Sequence, residues 1–371
     1  MVRVPMGTMS GAARRSRRWL AIRYCIGMFP LAVVACKPDL EGRPSLVDAP
    51  RVIAIRSTAA EIAPGGEVTY DVLVAKPVDD PSNPTFDWAL CLIQKPLASS
   101  GPISDECLVQ SGPALSALGS SESVTATIPK DSCQRFGPET PPQKAGEPSL
   151  RAADPDTTGG YYQPVRLLVG YNPGDTEYEV GVTRLLCGIG GGVTQEQSGT
   201  FNQDYRANQN PRVEQVNLKR ASDETVTLSL GSADPAASLS PGEVVTLEAI
   251  WPNCPLEANC GDGICERGED LKSCPSDCEN PQGCEGSEPY LSYDRASQSL
   301  VNRRESIRVS WYATDGSFEH DRTGRAESEA DAVNSSNTWT APSHAALVRV
   351  WLVIRDDRRG LNYTTFDLRI E

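Results

Sequence analysis

The chain has 371 residues, with 49 Asp+Glu against 35 Lys+Arg and a formal net charge of −14. That length leaves room for two ordinary domains, and the acidic balance argues against a nucleic-acid partner or an anionic lipid surface. Only two histidines are present, so imidazole catalysis and multi-histidine metal sites are poorly supplied, while 31 glycines and 29 prolines with few helix-period stretches point to short strands joined by turns.

The amino terminus reads as an export signal. Arg14, Arg15, Arg17 and Arg18 precede an apolar run closing on Leu31-Ala32-Val33-Val34-Ala35-Cys36. A basic region, a short apolar core and small residues before a cut define such a signal. A membrane-spanning helix needs about 20 apolar residues, whereas Trp19 to Ala35 is interrupted by Arg23. A plain cleaved signal and an anchor are the competing readings. The cysteine directly after Val33-Val34-Ala35 makes the segment resemble a bacterial lipoprotein signal. That resemblance implies removal of residues 1–35 and acylation of Cys36, and several acyl chains together anchor stably where one alone is marginal. Lys37 instead of Asp after the cysteine favours the outer membrane. Removal of residues 1–35 takes away six arginines and no acid, which leaves a formal charge of −20.

Residues 36–50 are polar and proline-bearing and read as a tether. Periodicity then begins with Val52-Ile53-Ala54-Ile55, a turn at Ala63-Pro64-Gly65-Gly66, and Val68 to Val74. Alternating β-branched and polar residues around a Pro-Gly turn predict two strands. The phrase Ile62-Ala63-Pro64-Gly65-Gly66-Glu67-Val68-Thr69-Tyr70 is echoed by Leu239-Ser240-Pro241-Gly242-Glu243-Val244-Val245-Thr246-Leu247. A tryptophan strand follows each copy, at Phe86 to Leu90 and at Ile307 to Tyr312. A late strand closes each, at Val180 to Cys187 and at Val348 to Ile354. These marks predict an all-β chain of two tandem immunoglobulin-like sandwiches, at 51–200 with long loops and at 213–371, joined by a linker at 201–212. One large irregular β-domain is the rival architecture. Adjacent acids at Asp79-Asp80 and Asp356-Asp357 read as turn residues.

Cys25 falls in the signal and Cys36 takes the lipid, which leaves ten of the 12 cysteines for an exported chain, where disulfides are the default. Cys91, Cys107, Cys133 and Cys187 lie in the first module, two bridges that would pin its loops to the strands bearing Trp88 and Cys187. Cys254, Cys260, Cys265, Cys274, Cys278 and Cys284 crowd an insertion at 254–284 within the second module. A segment that short has no core of its own, so crosslinks replace one. Six cysteines allow 15 pairings and the spacing does not choose among them. Zinc is the competing use, but close thiolate pairs of the Cys-x-x-Cys kind are missing. Acids interleave the cysteines at Asp262, Glu266, Glu269, Asp270 and Asp277, with glycines permitting tight turns. Carboxylates in a small flexible cage suit Ca2+, with Asp262, Glu269 and Asp277 as the candidate ligands. The EF-hand spacing is not met, and a solvated acidic knot is the plainer alternative.

The run from Cys260-Gly261-Asp262-Gly263 to Cys274-Pro275-Ser276-Asp277-Cys278 resembles the cysteine-rich repeats of myxobacterial surface and secreted proteins. The signal, Cys133 to Glu139, Gly159 to Pro164 and Trp339-Thr340-Ala341-Pro342 are similar to uncharacterised myxobacterial lipoproteins. The resemblance implies a cell-surface location and β-sandwich modules, and no chemistry.

No Gly-x-Ser-x-Gly elbow and no phosphate-binding glycine loop occurs, and His320 and His344 sit in loop-like contexts. The expected function is that of a non-catalytic binding or scaffolding lipoprotein of the cell envelope. It would be held to the outer membrane by its lipid and partnered by an envelope protein or a glycan, with no nucleic acid. Loops such as the one carrying Asp154 and Asp156 are where binding usually lives on a rigid sandwich. Calcium-dependent carbohydrate binding is the first alternative, and an envelope enzyme or enzyme inhibitor the second.

Overall fold

The computed structural model describes residues 43–371 apart from 97–98, 138–159, 173–174, 190–192, 233, 256–258, 266–268, 270–271, 279–282 and 295. Cys36, the signal, and Asp154, Asp156, Glu266 and Asp270 therefore lie outside the described residues. Strands dominate, as the sequence predicts. The first half carries β1 (Arg51–Ser57), β2 (Glu61–Ile62), β3 (Glu67–Ala75), β4 (Thr85–Cys91), β5 (Leu115–Gly119), β6 (Ser123–Thr127), β7 (Tyr161–Asn172) and β8 (Asp175–Leu185). One sheet runs β1-β3-β6 and the other β2-β8-β7-β4-β5. Alternation places Tyr161, Val165, Leu167 and Val169 of β7 against Val68 and Tyr70 of β3, so both sheets feed one core.

The second half carries β9 (Gln215–Lys219), β10 (Thr225–Thr227), β11 (Ala237–Leu239), β12 (Val244–Ile250), β13 (Pro289–Asp294), β14 (Ser299–Arg304), β15 (Ile307–Ala313), β16 (Ser317–Phe318), β17 (Arg322–Arg325), β18 (Asn334–Thr340), β19 (Ala346–Arg355) and β20 (Leu361–Ile370). Its sheets run β10-β9-β12-β18-β16 and β11-β20-β19-β15-β17, with β13-β14 as a separate hairpin. A second core draws on both sheets, with Trp251, Trp311 and Trp339 buried in it.

The two halves share a strand order. β2-β8-β7-β4-β5 matches β11-β20-β19-β15-β17 position for position, and β1-β3-β6 matches β9-β12-β18. In each, a short strand pairs in parallel with the last long strand, β2 with β8 and β11 with β20. The chain then crosses to the other sheet through the repeated Pro-Gly turn. Gly65 and Gly242 sit there at φ +84° and +73°, a conformation that a side chain resists. Both middle-strand tryptophans are fully buried with their indole N–H satisfied, Trp88 to the Ser121 carbonyl and Trp311 to the Thr323 hydroxyl, each at 2.8 Å. One expected pairing changes. The late strand at 180–187 is β8, whose counterpart is β20, and the strand at 348–354 is β19, whose counterpart is β7. Sequence spacing alone does not distinguish neighbouring strands of a hairpin.

Three features lock the halves together. Residues 43–50, read as part of a tether, are docked instead. Val47 N–H donates to the Ala313 carbonyl at 2.8 Å, Ala313 N–H donates to the Ser45 carbonyl at 2.9 Å, and Val47 is fully buried. An apolar seam joins Ile53, Ala54 and Ala75 of the first half to Trp351 and Val353 of the second. The span read as a linker contributes the third. Helix α2 (Gln195–Asp204), preceded by α1 (Ser132–Arg135), starts from a capping box between Thr194 and Gln197. Sequence patterning does not anticipate α2, whose residues are mostly polar. It delivers Phe201 onto Tyr205, their rings 4.5 Å apart, and leads into a buried Asn208.

Candidate functional site

The insertion leaves the second half between β12 and β13. Cys254–Cys284 closes its base, and Cys260–Cys274 and Cys265–Cys278 interleave inside it, the latter ending helix α3 (Pro275–Cys278). Each bridge contributes about 2–4 kcal/mol by restricting the unfolded chain. Cys91–Cys107 and Cys133–Cys187 complete the set and tie loops of the first half to the ends of β4 and β8. All ten expected cysteines are thus paired.

Of the three expected calcium ligands, the fold brings two together. One ligand atom each from Cys260, Glu269, Cys274 and Asp277 lie within 4.8 Å of one another. The two sulfurs are bonded to each other, which leaves the Glu269 and Asp277 carboxylates as the hard donors. Asp277 also accepts the Gly261 N–H at 2.6 Å. That bond, with others from the Ser276 side chain and the Gly263 and Asp262 backbone, holds its carboxyl below the usual range. Asp262 is exposed and turned to its own loop, accepting the Ile264 N–H at 2.9 Å. The group is an acidic, disulfide-bridged cluster with the donors to hold a metal.

Between the insertion and the β13-β14 hairpin lies a cleft of about 400 Å³, the size range of a small-molecule site. It is lined by Ile264 and Cys265 from the insertion, by Tyr290, Leu291 and Asn302 from the hairpin, and by Arg206. Arg206 also pins the insertion, donating to the carbonyls of Cys265 at 3.1 Å and Glu269 at 2.8 Å.

Beneath the cleft is a buried ionic node that sequence reading missed. Arg358, in the β19-β20 turn, pairs with Glu305 at 2.6 Å and with Glu288. Glu288 accepts the Cys284 N–H at 2.8 Å, so the node grips the base of the insertion. Arg358 also donates to the Arg206 carbonyl at 3.2 Å and stacks on the Tyr290 ring at 4.7 Å. Asp356 is no ordinary turn residue. It is buried, accepting the Asn208 amide at 3.1 Å and the Gly360 N–H at 2.7 Å. Asp80, by contrast, does serve a turn, accepting the Ser82 N–H at 2.7 Å. On the first-half side, Glu61 accepts from Arg184, from the Tyr205 hydroxyl at 2.6 Å and from the Asn208 N–H at 2.9 Å. Burial pushes Glu288 up to about 7 and Asp356 up to about 6, with the Arg358 charge opposing both. Burial raises Glu305 as well, again against Arg358. Burial pulls on Arg358 in the other direction, but Glu305, Tyr205, Glu288 and Glu61 together hold it above its ordinary value. No local motif marks this node, because its members come from five separate turns and strand ends.

His320 and His344 are exposed, beside Glu319 and Asp315 respectively. Among the described residues no helix is long and apolar enough to cross a membrane. The five disulfides are consistent with an exported protein.

No family model and no curated protein matches the chain. Among solved structures it is similar to dimeric latent PorU from Porphyromonas gingivalis (10% identity, 87% of this chain and 24% of that one, TM-score 0.16). It is also similar to the three N-terminal domains of the bacteriophage RB49 Highly Immunogenic Outer Capsid protein (10%, 87% and 99%, TM-score 0.17). A third is SGBP-B of a Bacteroides ovatus mixed-linkage glucan utilization locus, in complex with a mixed-linkage heptasaccharide (9%, 87% and 70%, TM-score 0.16). The chain spans about a quarter of the length of PorU. Superpositions this loose carry no functional argument.

Proposed function

We propose that this protein is a non-catalytic binding module of the cell envelope, acylated at Cys36, with the cleft beside the cysteine-rich insertion as its ligand site. The observation that carries the reading is the construction of that cleft. Three disulfides, Arg206 and the Arg358 node hold a coreless insertion over an aromatic-lined hairpin. Rigid walls with one ring face and a few polar groups suit binding without chemistry, since little ordering entropy is lost on association. Two experiments test it. Globomycin is expected to block processing, and Cys36→Ala to move the protein from the membrane to the soluble fraction; retention of Cys36→Ala on the membrane overturns the anchoring. A glycan array is expected to give a signal that Asn302→Trp, which fills the cleft, removes. Signal unchanged by that substitution moves the site elsewhere.

A calcium-dependent version is favoured by the convergence of Glu269 and Asp277. It requires terbium luminescence that calcium displaces and Glu269→Gln weakens.

A further inference from the structure

Arginines far apart in the chain meet on one face of the second half. In the sheet register Arg308 on β15 lies directly opposite Arg355 on β19 and Gly324 on β17. Two residues along, Ser310 lies opposite Arg322. The period-2 rule puts Arg308, Arg322 and Arg355 on the same face, and Arg359 follows in the β19-β20 turn. Like charges directly opposite each other cost up to about 1 kcal/mol in a sheet, so the arrangement is not there for stability.

Many arginines of the described chain meet carboxylates, as Arg349 does Asp367 at 2.8 Å, Arg56 does Asp71 at 2.8 Å and Arg304 does Asp331 at 2.7 Å, while others such as Arg51 are held by backbone carbonyls. Arg308, Arg322 and Arg359 are exposed and, among the described residues, reach no carboxylate within ion-pair distance. Arg355 is held by neutral oxygens, donating to the Ser310 hydroxyl at 3.4 Å and the Ile53 carbonyl at 3.2 Å. Burial and the charges of Arg322 and Arg359 lower its pKa, the second sign that these cations crowd one another.

Two clefts run along this face and share Arg308 and Asp357. One, about 570 Å³, lies where the halves meet, with Arg355 and Arg359 on its wall. The other, about 490 Å³, crosses β15 and β17 and is lined by Arg322, Arg325, Ser306 and Thr323. Asp357 is common to both. Glu179 and the buried Asp356 also line the first, which balances its three arginines. In the second, Glu327 is already engaged by Arg303 and the arginines are in excess. Among the described residues, neither cleft is lined by an aromatic ring on which a nucleobase could stack. The open arm over β15 and β17 offers hydroxyls and guanidinium groups, not side-chain pockets for a peptide.

We propose that this groove binds an acidic polysaccharide, whose carboxylate or phosphate substituents are paired by Arg308, Arg322 and Arg359. Guanidinium groups suit both oxyanions because their planar fork bonds either one bidentately. The groove adjoins the insertion cleft through Arg303 and Glu327, so the proposal extends the binding reading above while resting on different side chains.

Titration of the full chain with alginate oligosaccharides, phosphorylated dextran and unsubstituted dextran tests it. Binding is expected to at least one charged glycan and not to plain dextran, and to weaken as salt rises. Arg308→Glu combined with Arg322→Glu is expected to weaken it by about tenfold or more, while Arg308→Lys keeps most of it. Both variants should melt at or above the wild-type temperature, since a like-charge contact has been relieved or retained. Failure of both charged glycans to bind, or binding unchanged in the double variant, overturns the proposal. Tighter binding of single-stranded DNA or polyglutamate than of either glycan overturns the choice of ligand. Asn302→Trp, which blocks only the insertion cleft, separates failure of this groove from failure of the cleft.

Discussion

Arg358→Met is the sharpest test of how the two halves are joined. The substitution keeps a long side chain over Tyr290 but removes the cation that faces Glu288 and Glu305 and lies near Asp356. Breaking a buried pair in this way leaves uncompensated charge and costs about 3–5 kcal/mol. The cost depends on pH, and its sign follows from the direction of the shifts. Burial raises Glu288 to about 7 and Asp356 to about 6, and raises Glu305 too. Carboxyls raised in the folded state contribute stability below their unfolded pKa of about 4, and lose it as pH rises through the folded value. The variant, with no cation to oppose the rise, should therefore fall further below wild type at pH 8 than at pH 5. Urea unfolding at the two pH values measures this directly. Equal stability of variant and wild type at pH 8, or a deficit that does not change with pH, would refute the reasoning.

The wild type itself is expected to melt at a lower temperature at pH 8 than at pH 5.5, through the same three carboxyls, as scanning calorimetry would show. Non-reducing peptide mapping should return Cys260–Cys274 and Cys265–Cys278 as separate bridges, and Cys254→Ser with Cys284→Ser should cost about 2–4 kcal/mol. Val47→Asp should release residues 43–50 from the second half, read as faster amide exchange at Val47 and Ala313. A variant with unchanged exchange there would show that the docking is not held by this side chain.

Legibility differed with the range of the interaction. The Pro-Gly turns, the buried tryptophans and the alternation of β3, β4 and β12 were readable because each is set by residues within one turn or strand. The cysteine pairing was not, since which thiols meet depends on how the insertion folds over the hairpin. Asp356 looked like a turn residue and is one, but the same carboxylate is also buried against Asn208, some 150 positions earlier. Glu288, Glu305 and Arg358 carry no local mark at all. Their partners are supplied by the packing of turns, and a charged residue destined for burial looks in sequence like any surface charge. Asp262 shows the converse. Its glycine-flanked setting suggested a metal ligand, and the fold turns its carboxylate onto its own loop.

Net charge misleads for the same reason. The acidic total argues against polyanionic partners, yet total charge is an average over the whole surface, and strand period sorts that charge by face. Arg308, Arg322 and Arg355 come from three strands and meet because register, not sequence proximity, brings them together. At physiological salt the Debye length is about 8 Å. Neighbouring strands lie about 5 Å apart, so Arg308 and Arg355, directly opposite in register, feel each other strongly and the acids on remote faces weakly. At contact range the arm over β15 and β17, with Arg303, Arg308, Arg322 and Arg325 against Glu327 and Asp357, is cationic whatever the total says. The acidic remainder acts mainly at longer range, where it slows the approach of a polyanion from other directions and leaves this face as the favourable one.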